Sequence, residues 1–310
     1  MLAALGLLTL GAALLWIGAE AAVRGASGAA RSFGIPAFVL GALLFGIDLE
    51  GLGAAVAASA RGEASLAAGE IFGTVLFLFG GAFGTALLLS KRPVSAPSPL
   101  MVLAPAIPLF AAATAIADRF VGRLEGGLLL GIYAGYVAIV VREGHLVRER
   151  GDDLEKEAGE NPRPRGRLAA MALGGLALLV LGGGVAVAGG TRFVAETGLS
   201  DGFVGAAVLG ILVSLDEVLL EILPLRRGSP DLATGNLFGT LAAFCSGVLG
   251  IAALVRPLDI DSAAALALIG GAVLYTIVAS TFLARARAGR WVGLLLLVSY
   301  AAWLLVAANV

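Results

Sequence analysis

The sequence predicts an all-α integral membrane protein of ten transmembrane helices, arranged as two inverted repeats of five. Three observations carry that reading. Hydrophobic residues make up 59% of the 310-residue chain and charged residues only 14%, with a mean hydropathy of +0.98, far from the average of water-soluble domains. A fourteen-residue stretch occurs twice, as RGEASLAAGEIFGT at 61–74 and RGSPDLATGNLFGT at 227–240, identical at eight positions. Upstream of each copy, acids stand inside an apolar run: GIDLE at 46–50 and SLDE at 214–217.

Runs of about 20 apolar residues suffice to cross a bilayer, and ten are present, at roughly 2–26, 35–59, 65–90, 99–117, 122–142, 168–191, 202–224, 231–255, 262–284 and 289–308. Each must be helical, because lipid offers no partner for backbone N–H and C=O groups. The first run has no basic segment before it and is too long for a signal sequence, so it is expected to stay as the first span. Glu20 and Arg24 stand four apart on it and read as a structural ion pair near the interface. Asp118 and Arg119 close the fourth run as interface anchors. The 45 glycines suit helices that approach one another closely in lipid.

The single long polar segment, at 143–167, separates an N-terminal repeat at 1–142 from a C-terminal repeat at 168–310. Its mixed charge cannot bury a core, and it reads as a cytoplasmic linker. His145, the only histidine, lies in it and is expected to be solvated. Five spans per repeat force the second repeat to insert upside down relative to the first, a plan found in many secondary transporters. With both termini outside the cytoplasm, sixteen Lys and Arg fall in cytoplasmic loops and five in the opposite ones. The positive-inside rule favours that orientation, in a multi-pass protein of the cell (plasma or inner) membrane.

Asp48 and Glu50 sit near the middle of the second span, Asp216 and Glu217 near the middle of the seventh. A charge at mid-bilayer costs about 2.5–3.5 kcal/mol on insertion scales. Acids in two repeat-related places therefore read as a cation site where the repeats meet, with paired or protonated carboxyls that merely fix packing as the plainer alternative. Gly46, Gly51 and Gly53 flank the first cluster, and Gly205 and Gly210 precede the second. Glycines there permit broken helices whose freed carbonyls add ligands. Glu70 and Asn236 are equivalent positions of the repeated stretch. They either complete the site or cap and bridge helices. Ser214 offers a hydroxyl ligand or a bond back to its own helix. Glu221, one turn past Glu217, shares that helix face and either lines the exit path or snorkels from the helix end.

Soluble-enzyme chemistry has no support. The chain has no HExxH, no GxSxG, no Walker lysine and no second histidine. Its one cysteine, Cys245, cannot form a disulfide within the chain. No cofactor, nucleic acid or nucleotide is expected. The expected partners are transported inorganic cations and the lipid bilayer, with a monomer sufficient for the plan.

These residues resemble the cation/calcium exchanger superfamily, which includes the sodium/calcium exchangers and the calcium/proton antiporters. Its members carry two inverted five-helix halves, each with a motif like G-[ST]-S-x-P-E followed by G-N-x-x-G-[ST]. Here the second half reads VSLDE at 213–217 and GNLFGT at 235–240, and the resemblance places Glu217 at the ion-binding glutamate. The first half reads GIDLEG at 46–51 and GEIFGT at 69–74. There, Gly51 stands at the glutamate position and Glu50 at the proline position. Either the carboxylate has moved one residue, or the broken helix absorbs a one-residue slip. Asp48 replaces a serine and Asp216 a proline. The polar residues expected further along the third and eighth spans are Leu78 and Phe244.

The resemblance implies a secondary antiporter that exchanges a divalent cation, first of all Ca2+, for H+ or Na+ at a midplane carboxylate site. That site draws on Asp48, Glu50, Glu70, Ser214, Asp216, Glu217 and Asn236. Acid in place of neutral ligands tilts the coupling ion towards H+. The alternative is a divergent exchanger-fold protein that moves another cation or serves as a non-transporting binding component.

Overall fold

The computed structural model describes residues 1–96, 98–151, 164–197, 215–260, 263–285 and 288–307. Helix occurs in every one of the ten apolar runs, although the seventh is described only from Leu215 onward. Among the described residues, five helices are long and apolar enough to cross a bilayer: Leu2–Phe33, Ala64–Leu89, Arg123–Gly144, Arg165–Gly190 and Pro230–Val255. Large apolar side chains such as Leu2, Leu124, Trp291 and Leu305 stand exposed on the outer surface, where lipid is the expected neighbour.

The N-terminal repeat opens with α1 (Leu2–Phe33), which ends in left-handed backbone at Gly34 with φ 63°. Pro36 precedes α2 (Ala37–Leu40), which passes into a π turn at Gly41–Phe45. The helix then stops. Gly46, Ile47 and Asp48 are not helical, and α3 (Leu49–Arg61) starts after them. The next span is α4 (Ala64–Phe77), a π turn at Leu78–Ala82 and α5 (Phe83–Leu89). Short helices α6 (Pro99–Leu103) and α7 (Ala106–Ala115) form the fourth span, and α8 (Arg123–Gly151) the fifth.

The C-terminal repeat follows the same order. It has α9 (Arg165–Thr197), α10 (Leu215–Arg226), then α11 (Pro230–Ala242) with a π turn at Ala243–Val248 and α12 (Leu249–Val255). Helices α13 (Ala263–Ala284) and α14 (Arg290–Ala307) complete it. The π turns of the third and eighth spans fall at matching places in the two repeats. Such turns are rare and tend to mark functional sites.

Inversion is visible in α1 and α9, the first helices of their repeats, which pack along their length. Gly11 faces Ala186, Gly18 faces Leu179 and Gly25 faces Ala172, so one number rises as the other falls. Equivalent helices therefore run antiparallel. From the other side, Gly175, Gly182 and Gly189 meet Ala22, Leu15 and Leu8. A Cβ at Gly11 or Gly182 would lie 2.6 or 2.8 Å from a partner backbone nitrogen. The seven-residue spacing of these glycines keeps one smooth stripe facing the neighbour.

The repeated Arg-Gly pair makes the turn between α3 and α4 and between α10 and α11. Gly62 and Gly228 adopt φ 83° and φ 73°, a conformation that strains any residue with a Cβ. Beyond each glycine a backbone N–H reaches back to close the helix: Glu63 N to Ala58 O at 3.0 Å and Ser229 N to Pro224 O at 2.9 Å.

Two clasps tie loops of one repeat to loops of the other. Strands β1 (Phe120–Val121) and β2 (Leu258–Asp259) pair antiparallel, with Phe120 opposite Asp259. Val94 N donates to Ala288 O at 2.8 Å. The first clasp joins the loop before α8 to the loop after α12; the second joins the loop after α5 to the loop before α14. The two repeats thus exchange places between the clasps. The core between the repeats is aromatic. Phe238 packs against Phe38 and Phe79, with centroids 6.5 and 6.1 Å apart, and all three rings are shut off from solvent.

Candidate cation site

The site is built where the broken second span crosses the eighth. Glycines make this crossing possible: a Cβ at Gly41 would strike the Leu232 carbonyl, and one at Gly235 would strike the Phe38 carbonyl. A Cβ at Gly46 would lie 2.8 Å from Gly239 Cα. The helix break at 46–48 therefore lies directly against the repeated GNLFGT stretch.

Glu217, Glu221 and Asn236 form its centre. All three are buried, Glu221 and Asn236 completely and Glu217 at 5% exposure. The Asn236 amide nitrogen donates to Glu217 Oε2 at 3.3 Å and to Glu221 Oε1 at 3.1 Å. Both amide hydrogens are thereby used to hold two acids side by side. Among the described residues, Glu221 Oε2, Asn236 Oδ1 and Thr240 Oγ1 are buried with no hydrogen-bond partner. Each such atom costs about 1–3 kcal/mol if nothing else binds it.

Asp48, from the other repeat, and Asp216 lie within electrostatic reach of Glu217. Asp48 has a structural duty as well. Its Oδ1 accepts from Gly51 N at 3.1 Å, which caps the first turn of α3. Its Oδ2 would stand 2.5 Å from a Cβ at Gly51, and the Phe244 ring would stand 2.7 Å from the same point. Phe244 thus fills the space above Gly51. Counted back from the left-handed glycines along uninterrupted helix, Gly51 matches Glu217 and Glu50 matches Asp216. No one-residue slip occurs between 49 and 62, so the first-repeat acid stands one residue early. The side chain of Glu50, and Ser214 altogether, lie outside the described residues.

Two further expected members are among the described residues. Asp216 is partly buried, and Glu70 is partly buried on α4 at the place Asn236 occupies on α11. Glu221, for which sequence left two readings open, lies at the centre rather than at a snorkelling end. Its four-residue spacing from Glu217 was the signal. Glu20 and Arg24 do pair, at 2.6 Å, and Arg227 joins them through Glu20. Among the described residues no three His, Cys, Asp or Glu side chains converge as a ready-made metal cage. The carboxylates of Glu217 and Glu221 stand side by side at the Asn236 amide, and Thr240 carries a hydroxyl one turn further along α11, a set of donors that suits a hard cation.

The family model for the sodium/calcium exchanger protein matches residues 3–142 and 167–308. The relative from Alkalimonas amylolytica that bears the name "Putative antiporter CaxA" is 28% identical over 278 residues, covering 86% of this chain and 85% of its own length. The inner membrane protein YrbG of Escherichia coli is 28% identical over 319 residues, covering 98% of this chain and 96% of its own. Among solved structures, the sodium-calcium exchanger NCX_Mj soaked with zero Na+ and Ca2+ superposes with a TM-score of 0.82 at 22% identity. That alignment covers 96% of this chain and 97% of the other and establishes the shared fold. By the match to its family model, this membrane protein belongs to the sodium/calcium exchanger protein family.

Proposed function

We propose that the protein is a secondary antiporter that exchanges a divalent cation, Ca2+ before others, for H+ or Na+. The single observation behind this is the pair of buried glutamates, Glu217 and Glu221, bridged by Asn236 beside a broken helix of the opposite repeat. Buried carboxylates at the meeting of two inverted repeats suit a substrate that carries positive charge and leaves again. The naming of one relative as an antiporter and of a similar structure as a sodium-calcium exchanger agrees with this reading.

Competition couples the two ions. A carboxylate cannot hold its proton and a divalent cation together, because a bound cation favours the ionised form. Cation binding on one side expels protons or Na+, and the reverse happens after the repeats rock to open the other side. Asp48, Glu50, Asp216 and Glu217 supply charge to this site, with Glu70, Ser214 and Asn236 around them. We favour H+ as coupling ion, since Asp48 is an acid where the superfamily pattern has a serine, Asp216 adds a carboxylate at its proline position, and Phe244 is apolar where it has a polar residue. The protein needs no cofactor, performs no covalent chemistry, works as a monomer, and keeps both termini outside the cytoplasm.

Cation uptake into proteoliposomes under an imposed pH or Na+ gradient tests the proposal. Wild type takes up Ca2+ when the gradient is imposed, and Glu217→Gln lowers the rate by about 100-fold, the upper end of what loss of a metal-site partner costs. Absence of uptake by wild type, or equal uptake by wild type, Glu217→Gln and Glu50→Gln, refutes it.

A further inference from the structure

We infer that Glu221 is itself a cation ligand, and that the cation sits off the repeat axis, inside the α10–α11 hairpin of the second repeat. This rests on the antiporter reading and gives its site a location and a ligand set. Glu217 and Glu221 are one turn apart on α10, and Asn236 and Thr240 are one turn apart on α11. The two helices pack as a hairpin around the turn at 227–229, so each presents two polar side chains on one face.

Three features set these four residues apart from a cluster of acids that only fixes packing. First, they are buried: Glu221, Asn236 and Thr240 at 0% exposure and Glu217 at 5%. Second, oxygens remain over after every bond among the described residues is made, on Glu221, Asn236 and Thr240. Structural networks seldom leave three such atoms on one helical hairpin. Third, the composition balances a divalent ion. Two carboxylates match its charge, and a neutral amide and hydroxyl oxygen extend the all-oxygen set that hard cations take.

The Asn236 amide nitrogen occupies the gap between the two carboxylates. A cation that enters there displaces the amide hydrogens. A half-turn about the last torsion of Asn236 then exchanges Nδ2 for the unpartnered Oδ1. The leftover oxygens of Glu221 and Asn236 thereby gain a partner, and Thr240, one turn along α11, offers its hydroxyl next. The first repeat cannot build the same arrangement. At the matching positions it has Gly51, Ala55, Glu70 and Thr74, with one carboxylate where the second repeat has two.

Calorimetric titration of the purified full-length protein with CaCl2, beside the proteoliposome assay, tests this. Glu221→Gln weakens Ca2+ binding by about tenfold or more, as expected for loss of a direct ligand, with an unchanged size-exclusion profile. Glu221→Asp keeps the charge but withdraws the carboxylate by one methylene. It shifts the preference between Ca2+ and the larger Sr2+ by about threefold or more, because ligand reach sets the fitted radius. Wild-type Ca2+ affinity in Glu221→Gln, alongside its loss in Glu217→Gln, overturns the off-axis site and leaves the antiporter reading standing. Full uptake by both Glu217→Gln and Glu50→Gln removes that reading instead. Should Glu221→Gln fail to fold, Glu221→Asp decides alone: an unchanged affinity and Ca2+/Sr2+ ratio overturns the inference.

Discussion

Set the α3–α4 hairpin of the first repeat beside the α10–α11 hairpin of the second. Each turns at an Arg-Gly pair with the glycine in left-handed backbone, and each second helix is interrupted by a π turn at the same place. The backbones are the same device made twice. The side chains differ. Where α10 presents Glu217 and Glu221, α3 presents Gly51 and Ala55; where α11 presents Asn236, α4 presents Glu70. At these matched positions the second hairpin has two carboxylates and the first has one, and a phenyl ring from the second hairpin's own span closes over the missing acid of the first. Duplication fixes where these helices turn and where they loosen into π turns. It does not require the two copies to share the chemistry, because an ion needs only one adequate set of oxygens.

The sharpest way to break this comparison is to restore the acid. Gly51→Glu gives the first hairpin the side chain of the second, but its Cβ already meets Asp48 Oδ2 at 2.5 Å and Phe244 at 2.7 Å. Phe244 is completely buried and cannot swing into solvent. We expect Gly51→Glu to destabilise the protein by about 3 kcal/mol, the upper range for overpacking, seen as a lower thermal midpoint in detergent. Phe244→Ala in the same chain should recover most of that loss by vacating the ring's volume. If Gly51→Glu alone is as stable as wild type, Phe244 does not occupy the missing acid's place.

The duplication was legible in sequence because the residues that carry it have no substitutes. Left-handed backbone after Arg61 and Arg227 demands glycine, and the close crossing at Gly235 and Gly239 demands it again. Inversion was legible from an odd number of spans and from the charge bias, and α1 against α9 displays it directly. The second span as a broken helix followed from Gly46. Asp48 was read as a ligand on charge alone; its place immediately before a new helix is also that of an N-cap, and Oδ1 serves Gly51 N. Glu221 was the hardest to read. Four-residue spacing puts it on Glu217's face but cannot tell whether that face meets lipid headgroups or another helix. Asn236, fifteen residues on, decides that by reaching across the hairpin, and such a contact has no local signature. Phe244 over Gly51 is equally non-local.

A smaller effect separates the two turns themselves. Gly62→Ala and Gly228→Ala both place a Cβ on left-handed backbone, which costs about 1–2 kcal/mol. The surroundings differ. Beside Gly62 the Arg256 guanidinium lies 2.5 Å from where the Cβ would be, whereas none of the described residues comes within 4 Å at Gly228. Gly62→Ala should therefore lower the thermal midpoint more than Gly228→Ala, by the cost of moving Arg256. The two variants unfolding at the same temperature would mean that the backbone term alone operates at both turns.

The smallest expected difference concerns the arginines of the same turns. Arg61 pairs with Glu63 at 3.4 Å, inside its own turn, and both side chains are largely exposed. Arg227 instead reaches out of its repeat unit to Glu20 on α1, which also holds Arg24. Its side chain is 30% exposed and that of Glu20 24%, so water screens this pair less than the other. An exposed pair contributes about 0–1 kcal/mol. Arg61→Ala should sit at the bottom of that range, because a short local pair constrains nothing distant. Arg227→Ala should sit at the top, because it removes an ion pair that ties the α10–α11 hairpin to α1 alongside the Ser27–Ser229 hydrogen bond at 3.2 Å. A thermal melt of each variant at low and high salt distinguishes them: the Arg227→Ala difference shrinks as salt rises, and the Arg61→Ala difference stays near zero throughout. Equal and salt-insensitive shifts would show that the second repeat's arginine is no better tied than the first's, and that the asymmetry of the two hairpins stops at the acids.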